Sequence, residues 1–242
     1  MTSVTTIIAV LAALVVMLGL TALARFLAKL RCADPTIWER AIRQFEKEDR
    51  RCPPPKGVIV FTGSSSIRFW KSLQEDMAPL PVVNRGFGGS QIHQVTHYAH
   101  RIVLPYQPRA VVFYGCENDI AGVFFSKKRS PAQVREAYQG FCEKVHAALP
   151  EVPIYFISIK PPKRRLKFWP AMQAANQLVR EYCASDERLR YIDIVPAMLD
   201  ADGKPRRDVF RWDGIHLNEK GYAIWTSVVR PILVEAFLEN GE

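Results

Sequence analysis

Short apolar runs at Val58 to Phe61, Pro81 to Asn84, Ala110 to Tyr114, Ile154 to Ile159 and Tyr191 to Val195 alternate with longer stretches of helical period. Runs this short and rich in Val and Ile read as strands buried on both faces. The helical stretches are Gln91 to Val103, Pro131 to Leu149 behind a Ser130 cap, Pro170 to Cys183, and the segment from an Asn218 cap to Leu238. Asp34-Pro35 is an N-cap and first-turn pair for a further short helix carrying Trp38, Ile42 and Phe45 on one face, which "RRCPPPKG" then breaks. Strands alternating with helices predict an α/β domain, a parallel sheet covered on both faces, with each strand's C-terminal end at one rim.

The first residues follow another pattern. Met1 to Ala24 contains no charged side chain, and Val4 to Ala24 would span about 30 Å as a helix, the thickness of a bilayer's hydrocarbon core. A membrane segment is expected. Ala22-Leu23-Ala24 resembles a small-residue cleavage site, which would make the domain extracytoplasmic, but the cationic n-region of a signal peptide is missing. Arg25, Lys29, Arg31, Arg40 and Arg43 all lie on the C-terminal flank, and the positive-inside rule then favours an uncleaved single-pass anchor with the domain in the cytoplasm. The expected division is an anchor over 1–31, a helix and Pro-rich connector over 32–55, and a globular domain over 56–242, long enough to bury one substantial core.

Charge changes the picture little. The formal net charge is +9, from 33 Lys and Arg against 24 Asp and Glu, yet no zinc-finger spacing or paired-aromatic RNA signature accompanies it, so nucleic acid is not an expected partner. Five cysteines, Cys32, Cys52, Cys116, Cys142 and Cys183, are odd in number and never spaced C-x-x-C. Neither a zinc site nor a disulfide framework is indicated, and a Cys32 to Cys52 bridge would need an oxidising compartment. His93, His97 and His100 share one helix face but have no carboxylate placed with them, so a solvated or packed face is expected over a metal site.

The candidate chemistry falls at strand ends. "VIVFTGSSSIRFW" runs from buried strand into Gly63-Ser64-Ser65-Ser66 and straight back into apolar sequence, unlike a serine-rich linker. Asn84-Arg85-Gly86-Phe87-Gly88-Gly89 follows the second strand, Cys116-Glu117-Asn118-Asp119 the third, and Asp213-Gly214-Ile215-His216 precedes the last helix. Ligands of open α/β sheets bind outside the carboxyl ends of the strands, where these segments would converge. Together they supply a hydroxyl, backbone amides, a carboxamide, a carboxylate and an imidazole, the set needed to hydrolyse an ester through an activated serine.

In these four blocks, taken in order from Lys56 onward, the sequence resembles the SGNH, or GDSL-type, hydrolase family; "DGIHLNEKGY" is the most specific match. The resemblance implies a flavodoxin-like three-layer αβα fold and a serine ester hydrolase of the esterase or lipase type that needs no metal or cofactor. It implies Ser65 as nucleophile, His216 as general base oriented by Asp213, and an oxyanion hole from the N–H groups of Ser65 and Gly89 and the amide of Asn118. The substrate would be a small-molecule, lipid or carbohydrate ester. Two positions depart from the pattern. Ser64 stands where the family has Asp, which makes Ser64 and Ser66 rival nucleophiles. Cys116 stands where the third block has glycine, and Gly115 lies one position early, which puts the backbone carrying Asn118 in question. A catalytically silent binding module on the same fold, and an acyltransferase using the same acyl-enzyme, are the alternatives. The basic runs Lys127-Lys128-Arg129 and Lys163-Arg164-Arg165 are expected as solvated loops, or else as collectors of an anionic lipid surface.

Overall fold

A computed structural model describes residues 4–31, 34–123 and 126–239. Five parallel strands form one sheet in the order β2-β1-β3-β4-β5, from β1 (Ile59–Gly63), β2 (Val82–Gly86), β3 (Ala110–Tyr114), β4 (Ile154–Ile157) and β5 (Leu189–Ile192). The register sets Gly63 beside both Gly86 and Tyr114, so three strands end level at one rim.

Alternation along the strands builds a core on each face. Val60, Val111, Phe113, Ile154 and Phe156 point to one side, under α2 (Glu39–Arg51), α5 (Ile92–Ile102), α7 (Pro131–His146) and α8 (Trp169–Ala184). Ile59, Phe61, Val112, Tyr114 and Ile157 point to the other, under α9 (Glu219–Val234) and the short helices α3 (Ser65–Arg68) and α4 (Leu73–Asp76). This is the three-layer αβα arrangement expected of the sequence. On the α9 side Trp225 is fully buried against Trp70 and Tyr114, and burial of each such large side chain contributes about 1.5–3 kcal/mol.

Several elements differ in extent from the sequence expectation. β1 and β2 run on through their glycines to Gly63 and Gly86, because the parallel pairing continues where the apolar run stops. β5 starts two residues before Tyr191, since an edge strand tolerates the exposed Arg190. The Asp34-Pro35 start opens a 3-10 turn, Pro35–Trp38, with Asp34 accepting from the Thr36 N–H, and α2 follows from Glu39. Helix α2 packs on the domain: Ile42 is fully buried, Arg101 bridges Glu39 and Glu46, and Asp49 pairs with Arg85.

The N-terminal apolar segment is one helix, α1 (Val4–Arg31), with none of the side chains from Val4 to Ala28 buried. Glu219–Leu238 is also apolar enough and long enough to cross a membrane, but its Tyr222, Trp225, Val229 and Leu233 are buried on the sheet. Cys32 lies outside the described residues, and with it the Cys32 to Cys52 bridge; Cys52, Cys116, Cys142 and Cys183 are free.

Candidate active site

The serine turn is shaped by Gly63. Its φ is +128°, and a Cβ there would lie 1.8 Å from the Tyr114 carbonyl oxygen, so no side chain fits. The chain therefore turns out of β1 directly into α3, with the Ser64 N–H donating to Tyr114 O at 2.9 Å. The three serines separate by environment. Ser64 and Ser66 are buried, and Ser66 accepts from Lys160 Nζ at 3.4 Å. Ser65 is half-buried, and its Oγ lies 2.9 Å from His216 Nε2.

His216 is held from two sides. Its Nδ1 lies 2.6 Å from Asp213 Oδ2, and Phe69 packs edge-on against its ring at 4.8 Å. A carboxylate at Nδ1 fixes the proton there and leaves Nε2 to accept from the Ser65 hydroxyl. Asp213 is itself fixed, its Oδ1 accepting the N–H groups of Ile215 and His216, each at 2.9 Å. Burial raises the Asp213 carboxyl, but the hydrogen bonds from His216 and from the Ile215 N–H outweigh it and hold the group below the ordinary Asp value. Ser65, His216 and Asp213 thus form a continuous chain of contacts from β1 to the loop before α9.

Gly89 and Asn118 meet through Ser90. Asn118 Nδ2 donates to Ser90 O at 2.9 Å, and Ser90 Oγ donates to Gly63 O at 3.2 Å, one residue before Ser64. Gly89 has φ +76°, the left-handed form that suits glycine. The Ser65 N–H belongs to a helix first turn, whose donors lack intrahelical acceptors. Asn118 Oδ1 accepts from Arg165 Nη1 at 3.2 Å, which fixes the orientation of the amide.

Cys116 takes the place of a glycine in the turn that carries Asn118. At φ +79° and ψ −27° the cysteine itself adopts the left-handed conformation and caps α6 (Glu117–Ala121), while its side chain is buried in the core. Asp119, three residues on within α6, accepts the Ile92 N–H at 3.3 Å and pairs with Arg129 at 3.4 Å; burial nonetheless pushes its carboxyl up to about 7.

Beneath the serine turn lies a group that sequence reasoning missed. Lys160, fully buried after β4, pairs with Glu117 and donates to the Tyr114 hydroxyl at 3.1 Å. A signal existed, because a lysine that directly continues the apolar run Ile154 to Ile159 needs a buried partner. Of the three histidines on α5, His93 contacts Arg129 and His97 packs on Tyr98 and His100. Among the described residues no group of three His, Cys, Asp or Glu side chains is arranged to hold a metal ion.

Residues 55–224 match the model of the GDSL-like Lipase/Acylhydrolase family. The chain belongs to that family. Its fold is similar to a GDSL-like lipase from Bacteroides thetaiotaomicron, with a TM-score of 0.68 at 17% identity, covering 81% of this chain and 98% of that one. It is also similar to a member of the lipolytic G-D-S-L family from Veillonella parvula, at 0.60 and 14%, covering 74% and 98%. A carbohydrate esterase of family 3 from Talaromyces cellulolyticus gives 0.58 and 20%, covering 74% and 97%. At these identities the likenesses establish the shared fold. No curated protein matches the chain. The family is one of lipases and acylhydrolases, enzymes that act on esters.

Proposed function

We propose that the protein is a serine ester hydrolase in which Ser65 is the nucleophile, His216 the general base and Asp213 its orienting partner. The contacts from Ser65 Oγ to His216 Nε2 at 2.9 Å and from His216 Nδ1 to Asp213 at 2.6 Å carry this reading. His216 takes the Ser65 proton as Oγ attacks the ester carbonyl, and Asp213 stabilises the imidazolium that forms. The N–H groups of Ser65 and Gly89 and the Asn118 amide stabilise the oxyanion. Collapse of the tetrahedral species expels the alcohol, which receives the proton from His216 and leaves an acyl ester on Ser65. Water, deprotonated by the same imidazole, then releases the acid and restores the serine. No step calls on a metal or cofactor.

Helix α1 is the anchor, residues 32–55 connect it to the domain, and 56–242 form the catalytic unit. The cations that follow Ala24 favour the cytoplasmic side for the domain. Hydrolysis of p-nitrophenyl esters graded by acyl length tests the chemistry, with loss of turnover expected in Ser65→Ala. A C-terminal reporter active only outside the cytoplasm would reverse the topology.

A further inference from the structure

Two loops flank the serine at the rim. The segment Arg211 to His216 is a tight turn, closed by the Gly214 N–H on Arg211 O at 2.9 Å and the Arg211 N–H on His216 O at 2.8 Å. The turn holds Trp212 outward, 93% exposed, beside the Asp213 that contacts His216. The second loop, 163–168, lies against it: the Arg164 N–H donates to Gly214 O at 2.9 Å. That loop carries Leu166, 43% exposed. Among the described residues outside α1, Trp212, Leu166 and Leu238 are the exposed large apolar side chains, and two of the three lie on these two bonded loops.

Their neighbours are cations. Lys163, Arg164, Lys167 and Arg211 are exposed on the same two loops, while the carboxylate on them, Asp213, is committed to His216 and to backbone N–H groups. An exposed indole on loops that carry exposed Lys and Arg suits the boundary between headgroups and acyl chains, where Trp is enriched and anionic lipid attracts cations.

The same rim receives the chain from α1. Trp38, which ends the turn after α1, packs on Phe87 at 5.8 Å and donates to Gln94 Oε1 at 3.0 Å, and Phe87 lies two residues before Gly89. The segment between Arg31 and Pro35 can span at most about 14 Å. A bilayer holding α1 therefore lies close to the end of the sheet that bears Ser65.

We propose that this rim rests on an anionic lipid surface, with Trp212 and Leu166 as apolar contacts and Lys163, Arg164, Lys167 and Arg211 facing the headgroups. The inference rests on the reading of α1 as an anchor. A nucleic acid or acidic protein would satisfy the cations, but only the bilayer is brought to this face by the chain itself. Substrate then reaches Ser65 from the headgroup layer.

The test uses the full chain reconstituted in phosphatidylcholine vesicles with and without phosphatidylserine, with lipids brominated near the headgroup as quenchers of tryptophan fluorescence. The expected result is a quenched component that needs phosphatidylserine, disappears at high salt, and is lost in Trp212→Phe and in the double variant Lys163→Glu with Lys167→Glu. Hydrolysis of a soluble ester should stay unchanged in both, which shows that they are folded. Equal quenching of wild type and Trp212→Phe would overturn the proposal, as would a Trp212-dependent component that ignores phosphatidylserine; quenching common to both proteins belongs to Trp38, next to α1. Extraction by alkaline carbonate reports on α1 separately. Resistance to it without Trp212 quenching leaves the anchor standing and turns the rim to water. Binding of soluble polyglutamate with no Trp212 quenching would assign the cations to an acidic macromolecule and overturn the lipid reading.

Discussion

Lys160 and Glu117 form an ion pair sealed from solvent beneath the serine turn, with Lys160 Nζ also reaching Ser66 Oγ at 3.4 Å and the Tyr114 hydroxyl at 3.1 Å. Burial drags the Lys160 ammonium below its ordinary range, and Glu117 opposes that loss of charge. For Glu117, burial is outweighed by Lys160 and Arg165, which keeps it ionised. The pair joins three parts of the site: the end of β4, the residue after Ser65 and the residue before Asn118.

Breaking one side leaves the other charge stranded. Glu117→Gln should cost about 3–5 kcal/mol of stability, and Lys160→Met a similar amount, whereas Glu117→Leu combined with Lys160→Met should cost less than either. Urea denaturation of the three variants checks this. A Glu117→Gln protein as stable as wild type would mean that the pair contributes little.

At Cys116 two effects oppose. The left-handed backbone costs a non-glycine residue about 1–2 kcal/mol, while the buried thiol contributes packing of similar size. Cys116→Gly should therefore change stability by no more than about 1 kcal/mol and preserve or raise kcat, while Cys116→Ala keeps the strain, loses the sulfur and falls below it. Alanine more stable than glycine at this position would contradict the strain argument.

Asp119 links stability to pH. Its folded value of about 7 lies above the ordinary 3.8, so the folded state holds a proton that the unfolded chain releases. The stability this contributes is fully present below about pH 4 and is lost as pH rises through 7. Asp119→Asn should flatten that part of the profile, measured as denaturation midpoint between pH 4 and 8 relative to wild type. An unchanged slope would assign it to other groups.

Much of this was legible in the sequence, for a physical reason. Buried parallel strands are continuous apolar runs, so β3 was bounded as found, and α7 began at Pro131 behind its Ser130 cap as the residues imply. The motif residues Ser65, Asp213 and His216 stand at strand and loop ends that only the sheet order brings together. What stayed hidden depends on three-dimensional partners. Ser65 is distinguished from Ser64 and Ser66 by burial and by His216, which no run of three serines reveals. The pairing of Lys160 with Glu117 spans elements far apart in the chain, and the exposure of Trp212 is a property of its turn, since a Trp in sequence reads as core.

Removing the orienting carboxylate should separate geometry from chemistry. Asp213→Asn should fold normally yet slow turnover by several orders of magnitude, because the amide favours the wrong imidazole tautomer. A small loss would show that Phe69 and the backbone alone hold His216.

The central claim is that one hydroxyl of three is activated, and mass-spectrometric mapping of a fluorophosphonate adduct on the folded protein tests it most directly. A single adduct is predicted at Ser65, nearly abolished in His216→Ala and untouched by chelators, since only a positioned base makes one serine reactive. Folded protein that resists the probe at pH 8, or carries the adduct on Ser64 or Ser66, would contradict it.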